Sequence, residues 1–142
     1  MGPTLRTDLV DVYVVRRSPT GTEFLQLRRA REPYAGAWHP VMGHIEDGET
    51  AHEAARRELR EETGLVADHL GALEQVHPFF VPEQNAIFLC PRFWCEASPA
   101  WTPELNPEHD AWRWVEASRV EACFRWPGQR ACCREILGLA SQ

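Results

Sequence analysis

The sequence predicts an α/β fold, an α/β/α sandwich with a mixed central sheet. Valine-rich segments with loose alternation are typical of strands, one sharply bounded helix lies near the middle of the chain, and a second helical pattern follows near its end. A length of 142 residues predicts one domain over 1–142, and a hydrophobic content of 44% is enough for a core.

The first elements are two strands joined by a turn. Residues 9–17 alternate loosely and are rich in valine, which favours a strand. The Ser-Pro-Thr-Gly sequence at 18–21 predicts a turn, so that 22–28 forms the partner strand. Residues 29–37 then form a loop that leads to Trp38.

A helix is predicted at about 51–63. Thr50 followed by Glu53 has the spacing of a capping box, and Gly64 is a typical C-terminal stop. The residues between them include few β-branched side chains, which favours the helical conformation.

The second half of the chain is predicted to contain three strands and two helices. Two strands are expected at 72–81 and 86–97, and Pro91 suggests that the second lies at an edge or carries a bulge. A long loop follows, and the remaining elements are a strand at 111–115, a short helix at 116–123 and a last helix at 127–139.

Three acidic side chains crowd one side of the helix at 51–63. At about 100° per residue, Glu58 and Glu62 lie on one face and Glu61 lies at its border. Like charges this close repel one another unless a cation neutralises them. Oxygen ligands suit Mg²⁺ or Mn²⁺ better than zinc. The alternative is an exposed helix stabilised by ion pairs with its arginines.

The loop before this helix favours the metal site. Gly43 and Gly48 bracket four residues, and glycines let backbone carbonyls face a ligand. The whole segment at 43–65 matches the pattern G-x5-E-x7-R-E-U-x-E-E-x-G-U, with U aliphatic, and resembles the Nudix hydrolases (MutT-like family). Every fixed position is present: Gly43, Glu49, Arg57, Glu58, Leu59, Glu61, Glu62, Gly64 and Leu65.

The resemblance implies a role for each acid of this box. Glu58, Glu61 and Glu62 would hold the metal, and one of them, Glu58 or Glu61, would orient or deprotonate the attacking water. A backbone carbonyl near Gly43 would add a metal ligand. Glu49 and Arg57 would pair as a structural brace between loop and helix.

Residues outside the box are implied with it. Many relatives recruit a later catalytic glutamate, which here would be Glu108, with Glu104 and Asp110 as alternatives. Arg28 or Arg29 could clamp phosphates, the alternative being a basic edge of the sheet. The candidates for substrate binding are Arg28, Arg29, Trp38 and Phe80.

The sequence departs from the common pattern just before the box. Many family members have Pro-Gly-Gly there, whereas this chain reads Trp-His-Pro-Val-Met-Gly at 38–43. A loop of this kind, together with the Glu-His at 108–109, is similar to the dATP and dihydroneopterin triphosphate pyrophosphatase branch.

The function implied is a Mg²⁺-dependent pyrophosphohydrolase, with Mn²⁺ able to replace Mg²⁺. The substrate would be a nucleoside diphosphate linked to another group, above all a (deoxy)nucleoside or pterin triphosphate. The alternatives are hydrolysis of a nucleotide sugar or dinucleoside polyphosphate, or a non-catalytic nucleotide sensor.

Composition limits the partners and the compartment. A formal net charge of −6 argues against binding a nucleic acid polymer. No apolar run approaches the ~20 residues that span a membrane, and residues 1–10 lack a signal-peptide pattern. Five cysteines with no C-x-x-C fit buried thiols in a cytoplasmic protein. A homodimer is left open.

Overall fold

The computed structural model describes residues 1–140, with side chains through Leu139. Its ten strands are β1 (Thr4–Arg6), β2 (Leu9–Ser18), β3 (Gly21–Arg29), β4 (Trp38–His39), β5 (Val41–His44), β6 (Gly71–Ala72), β7 (Phe79–Val81), β8 (Ala86–Phe88), β9 (Arg92–Glu96) and β10 (His109–Glu116). The helices are α1 (Ala51–Thr63), α2 (Val120–Cys123) and α3 (Pro127–Ala140), and 3-10 turns occupy Pro82–Gln84 and Ala117–Arg119.

The main sheet is mixed, and the two short strands β4 and β5 form a wedge in its middle. Its strand order is β10-β3-β2-β9-β6, with β2 and β9 parallel. Near their turn, β2 and β3 pair with each other, but farther from it β3 pairs with β4 and β2 pairs with β5. The two short strands therefore fill the gap where β2 and β3 diverge. The sequence predicted the loop at 29–37 before them but neither short strand.

The predicted α/β/α sandwich is confirmed by the packing on the two faces of the main sheet. Alternate residues of β2 enter different cores. Val12 and Val14 pack in the core that contains Leu59 of α1, whereas Tyr13 packs in the core that contains Ile136 of α3. The sheet therefore lies between α1 on one face and the α2–α3 pair on the other.

The bounds predicted for α1 are confirmed. The Thr50 hydroxyl accepts a hydrogen bond from the Glu53 N–H at 3.1 Å, and the Glu53 carboxylate accepts one from the Thr50 N–H at 2.9 Å. At the other end Gly64 has φ 79°, a left-handed conformation that glycine adopts without strain. Both ends are set by local chemistry, which is why the sequence predicts them well.

The prediction of two long strands at 72–81 and 86–97 is wrong. Each is divided into two short strands, and a proline stands in each break, Pro78 before β7 and Pro91 before β9. A proline has no N–H to donate to a ladder. The pieces also belong to different sheets, since β7 and β8 join β1 in a separate three-stranded sheet while β6 and β9 extend the main one.

The later elements agree with the sequence more closely. The strand predicted at 111–115 is longer and begins at His109, with a bulge between His109 and Ala111. The last helix is present at Pro127–Ala140. Within residues 1–140, no helix combines the length and the apolar character needed to cross a membrane.

Candidate active site

The candidate site lies where α1 packs over the wedge of the main sheet. In the wedge, β4 places His39 beside Leu27, and β5 places Gly43 beside Val10. The loop at 45–50 then returns the chain to α1, so that the acidic face of the helix is held against β5. Strand β5, the loop at 45–50 and α1 thus bring the two ends of the segment 43–62 close together.

Gly43 is required by a close approach of Glu58. A Cβ added at Gly43 would lie 2.1 Å from the Glu58 Cδ and 2.4 and 2.5 Å from its two carboxylate oxygens. Real Cβ atoms do not tolerate such distances, and φ at this glycine is not positive. The absence of a side chain therefore lets the Glu58 carboxylate rest on the backbone of β5.

Glu62 is fully buried, with Glu58 and His109 as neighbours. Its exposed fraction is 0%, and neither carboxylate oxygen makes a well-formed hydrogen bond within residues 1–140. Burial raises the pKa of Glu62 to about 10, and the Glu58 and Glu108 carboxylates add to the rise, against a smaller opposing effect of the Met42 backbone. Such a group calls for a positive partner.

Glu61 is the most exposed of the three acids and shares the Arg57 guanidinium with Glu58, since Arg57 Nη1 also donates to the Glu58 carboxylate at 2.8 Å. The side chain of Glu61 is 52% exposed and its carboxylate accepts a hydrogen bond from Arg57 Nη1 at 3.2 Å. The border position of Glu61 on the helix explains this exposure. Across residues 1–140, no group of three or more His, Cys, Asp or Glu side chains is placed to hold a metal ion. Glu58 lies close enough to Glu62 to raise its pKa, whereas Glu61 contacts Arg57.

Arg57 joins the loop to the helix. It donates to Glu49 from Nε at 2.6 Å and from Nη2 at 2.9 Å, and Nη2 also donates to the His44 carbonyl at 2.9 Å. The Arg57 guanidinium and the Glu46 N–H lower the pKa of Glu49 to about 2. This bidentate pair is the contact expected of a brace.

Two buried histidines lie next to each other, and one of them, His109, adjoins Glu62. His39 and His109 are 6% and 5% exposed, and their ring centroids are 5.1 Å apart. His109 Nε2 lies 3.7 Å from the nearer Glu62 carboxylate oxygen, too far for a hydrogen bond. Burial lowers the pKa of each imidazole to about 4; for His39 the second cause is His109, and for His109 it is Arg29.

The sequence named neither histidine as a site residue. His39 lies in the segment that departs from Pro-Gly-Gly, and His109 directly follows Glu108. Seventy positions separate the two histidines, and their meeting depends on both β4 and β10 flanking β3. Each histidine adjoins a candidate site residue in the sequence, but the sequence does not show that the two histidines meet in one cluster.

Glu108 is exposed immediately before β10. Its backbone carbonyl accepts a hydrogen bond from Ala30 at 2.8 Å, and its charge contributes to the raised pKa of Glu62, so it lies in the neighbourhood of the site. Of the alternatives, Asp110 pairs with Arg28 at 2.6 Å, and Glu104 lies against Gly64 at the C-terminal end of α1.

The candidate substrate residues occupy different places. Arg28 is paired with Asp110, whereas Arg29 donates to the Pro33 carbonyl at 2.7 Å and acts electrostatically on both buried histidines. Trp38 is near two guanidinium groups, that of Arg113 at 4.3 Å and that of Arg28 at 5.7 Å from its ring centre.

Phe80 lies in the three-stranded sheet and is 54% exposed. It is paired with Ile87 of β8. Within residues 1–140, no ring contact or polar contact joins it to α1, so the structure does not bring it together with the carboxylate pair.

Comparison with known proteins agrees with this geometry. The family model described as NUDIX domain matches residues 7–133. An octanoyltransferase from Myxococcus xanthus is 35% identical over 121 residues, which cover 80% of this chain and 31% of that protein. An oxidized purine nucleoside triphosphate hydrolase from Danio rerio is 31% identical over 96 residues, covering 65% of this chain and 57% of the relative. The chain thus spans only about a third and about half of these two relatives.

Among solved structures, the binary complex of an Ap4A hydrolase from C. elegans superposes with a TM-score of 0.80 at 20% identity. The match covers 96% of this chain and 98% of that one. At this identity the likeness shows the fold alone.

Proposed function

The chain belongs to the Nudix (MutT-like) family, and on this premise we propose that it is a divalent-metal-dependent pyrophosphohydrolase acting on a small nucleotide-like substrate. The observation that carries the proposal is the carboxylate pair of Glu58 and Glu62. Glu58 rests on the Gly43 backbone, and Glu62 is fully buried with both oxygens unpartnered. A buried acid without a partner would only destabilise a helix that had a purely structural role.

The residues of the site fit a hard divalent cation. Glu58 and Glu62 would hold it through carboxylate oxygens, with the Gly43 carbonyl as a further oxygen ligand, and no sulfur is involved. Mg²⁺ typically binds one or two carboxylates, keeps several waters and takes the remaining ligands from substrate phosphates. We therefore propose Mg²⁺ as the native ion, with Mn²⁺ as a working substitute.

Such a cation, when bound, neutralises phosphate charge and lowers the pKa of a water molecule. The protein's own part is to hold the phosphates and to accept a proton. The water oxygen forms a bond to one phosphorus, the bond from that phosphorus to the bridging oxygen breaks, and the second phosphate leaves with that oxygen. The proton lost by the water goes to a carboxylate, for which we propose Glu58 or the exposed Glu61, with Glu108 as the further catalytic acid near Glu62.

Arg29 is the better of the two candidate phosphate clamps. Asp110 neutralises Arg28, whereas the polar contact of Arg29 is to a carbonyl, which leaves its positive charge uncompensated by that contact. Its charge also contributes to the lowered pKa values of His39 and His109, and His109 adjoins Glu62, which supports this choice. A negatively charged phosphate chain between Arg29 and the cation is therefore electrostatically favoured.

An exposed tryptophan offers a surface for the ring system of the substrate. Trp112 is 41% exposed, and the strand register aligns it across β3 with Leu27 and then with His39. Residues aligned across neighbouring strands share a face of the sheet, so Trp112 is on the same face as His39. A purine or pterin ring could stack there. We propose a (deoxy)nucleoside or pterin triphosphate as the substrate, in keeping with the triphosphate hydrolase among the relatives.

The test is a substrate panel with product identification. Purified protein with Mg²⁺ is incubated with (deoxy)nucleoside triphosphates, an oxidized purine triphosphate, dihydroneopterin triphosphate, a nucleotide sugar and a dinucleoside tetraphosphate. We expect a triphosphate to be hydrolysed fastest, with release of pyrophosphate or phosphate and no turnover in EDTA. Preferred cleavage of the sugar or dinucleoside compound would correct the substrate class, and no cleavage of any compound would contradict the enzyme and favour a nucleotide sensor.

A further inference from the structure

Four buried atoms that can accept hydrogen bonds have no donor. They are the two carboxylate oxygens of Glu62 and the Nε2 atoms of His39 and His109, and none has a hydrogen-bond partner within residues 1–140. All three side chains are more than nine-tenths buried. Buried polar atoms of folded proteins are nearly always satisfied, so this cluster requires a further group.

The hydrogen bonds of the two rings determine what that group must be. His39 Nδ1 lies 2.5 Å from the Pro40 carbonyl oxygen, which can only accept, so Nδ1 carries the hydrogen. His109 Nδ1 lies 2.9 Å from the side-chain oxygen of Asn106, which assigns its hydrogen in the same way. In each neutral ring Nε2 is therefore a bare lone pair. When Glu62 is ionised, as binding a cation requires, the cluster presents acceptors only, and it suits a group that presents only donors.

A hydrated cation is such a group, because its bound waters direct their hydrogens outward. Resting on the function proposed above, we propose that His109 and His39 accept, through Nε2, hydrogen bonds from the water shell of the cation held by Glu58 and Glu62. They are positioning residues, since they act on the cation through its waters. Mg²⁺ keeps several waters in protein sites, and partners of this outer kind commonly change metal affinity 10- to 100-fold.

The arrangement favours His109 as the stronger partner. Its Nε2 is 3.7 Å from the Glu62 carboxylate, a distance at which one water can lie within hydrogen-bonding reach of both groups. His39 packs against His109 at 5.1 Å between ring centres and is itself fixed by the Pro40 carbonyl. We therefore expect a larger effect on metal binding from changes at His109 than from changes at His39.

Mn²⁺ binding to the substrate-free protein tests the proposal, with free Mn²⁺ measured by electron paramagnetic resonance. In H109N the amide can replace Nδ1 and keep the contact to Asn106, but no atom replaces Nε2. In H109Q the amide lies near the former Nε2, while the Nδ1 contact is lost. We expect H109N to weaken Mn²⁺ binding at least about tenfold, and H109Q to stay within about threefold of wild type.

A purely structural role predicts the opposite order, because the anchor to Asn106 would then matter and Nε2 would not. Equal binding by wild type and H109N would overturn the proposal, as would equal losses in H109N and H109Q. Thermal unfolding without metal identifies any variant that does not fold. H39N, which keeps the Pro40 contact, provides a second test, and wild-type affinity in that variant would exclude His39. The control is H69N, at an exposed position between α1 and β6.

The same experiment separates this inference from the proposed function. If wild type binds no Mn²⁺, the metal-dependent mechanism is wrong, and the role of the histidines is wrong with it. If wild type binds Mn²⁺ and the Asn variants bind it equally well, only the role of the histidines is refuted.

Discussion

Replacing Gly43 by alanine tests the contact on which the candidate site is built. The added Cβ would lie 2.1 Å from Glu58 Cδ, whereas carbon atoms in contact prefer about 3.5–4.0 Å. The Glu58 carboxylate must therefore move by about 1.5 Å or β5 must yield. Forcing an extra methyl group into a packed place costs about 1–3 kcal/mol. Misplacing a reacting group by about 1 Å can cost about 100-fold in rate.

Gly48 in the same loop is the matched control. Its φ is +84°, which an alanine adopts only with strain, but a Cβ there meets no atom within 4 Å. G48A should lose about 1–2 kcal/mol of stability, because an L-residue is strained in the left-handed region. It should leave Glu58 in place, however, so its turnover should stay near that of wild type.

The two variants are compared by urea unfolding and by kcat on the best substrate of the panel. We expect similar losses of stability and a fall in kcat of about 100-fold for G43A alone. Wild-type kcat in a folded G43A would refute the close approach of Gly43 and Glu58 as a catalytic requirement. Equal loss of kcat in G48A would mean that loop conformation in general, rather than this contact, controls activity.

Two further predictions concern acids around the pair. E108Q should slow turnover at least about tenfold, as expected for a group in proton transfer, with unchanged thermal unfolding; an unaltered kcat would remove Glu108 from the site. Glu49 tests the brace through pH. Because Arg57 lowers the folded-state pKa of Glu49 from 4.5 to about 2, its stabilising contribution is complete above pH 4.5 and is lost as the pH falls through that interval. The difference in Tm between wild type and E49Q should therefore shrink from above pH 4.5 to about pH 2, and a constant difference would contradict the pairing.

The parts predicted well from sequence are those determined by local chemistry. The capping box of Thr50 and Glu53 and the left-handed Gly64 fix both ends of α1. The helical period then places Glu58 and Glu62 together and Glu61 at the border, where the structure shows it turned toward Arg57. Local rules for helix capping and helical period were sufficient here because the interacting residues lie within a few positions of one another.

The parts that sequence did not predict depend on distant pairing. The strands β4 and β5 have two and four residues, too few for a periodic pattern, and they exist because β2 and β3 diverge. The cluster of His39 and His109 depends on that same divergence. The breaks at Pro78 and Pro91 were visible in the sequence, but the assignment of their flanking strands to two sheets was not.

Replacing Glu62 by glutamine tests the central claim most directly. The claim is that Glu58 and Glu62 form the cation-binding carboxylate pair of a pyrophosphohydrolase. The measurement is the Mg²⁺-dependent turnover of the best panel substrate by wild type and E62Q, side by side with their thermal unfolding. We predict that E62Q folds and that its turnover falls to background at all Mg²⁺ concentrations. A folded E62Q with near-normal turnover would contradict the account.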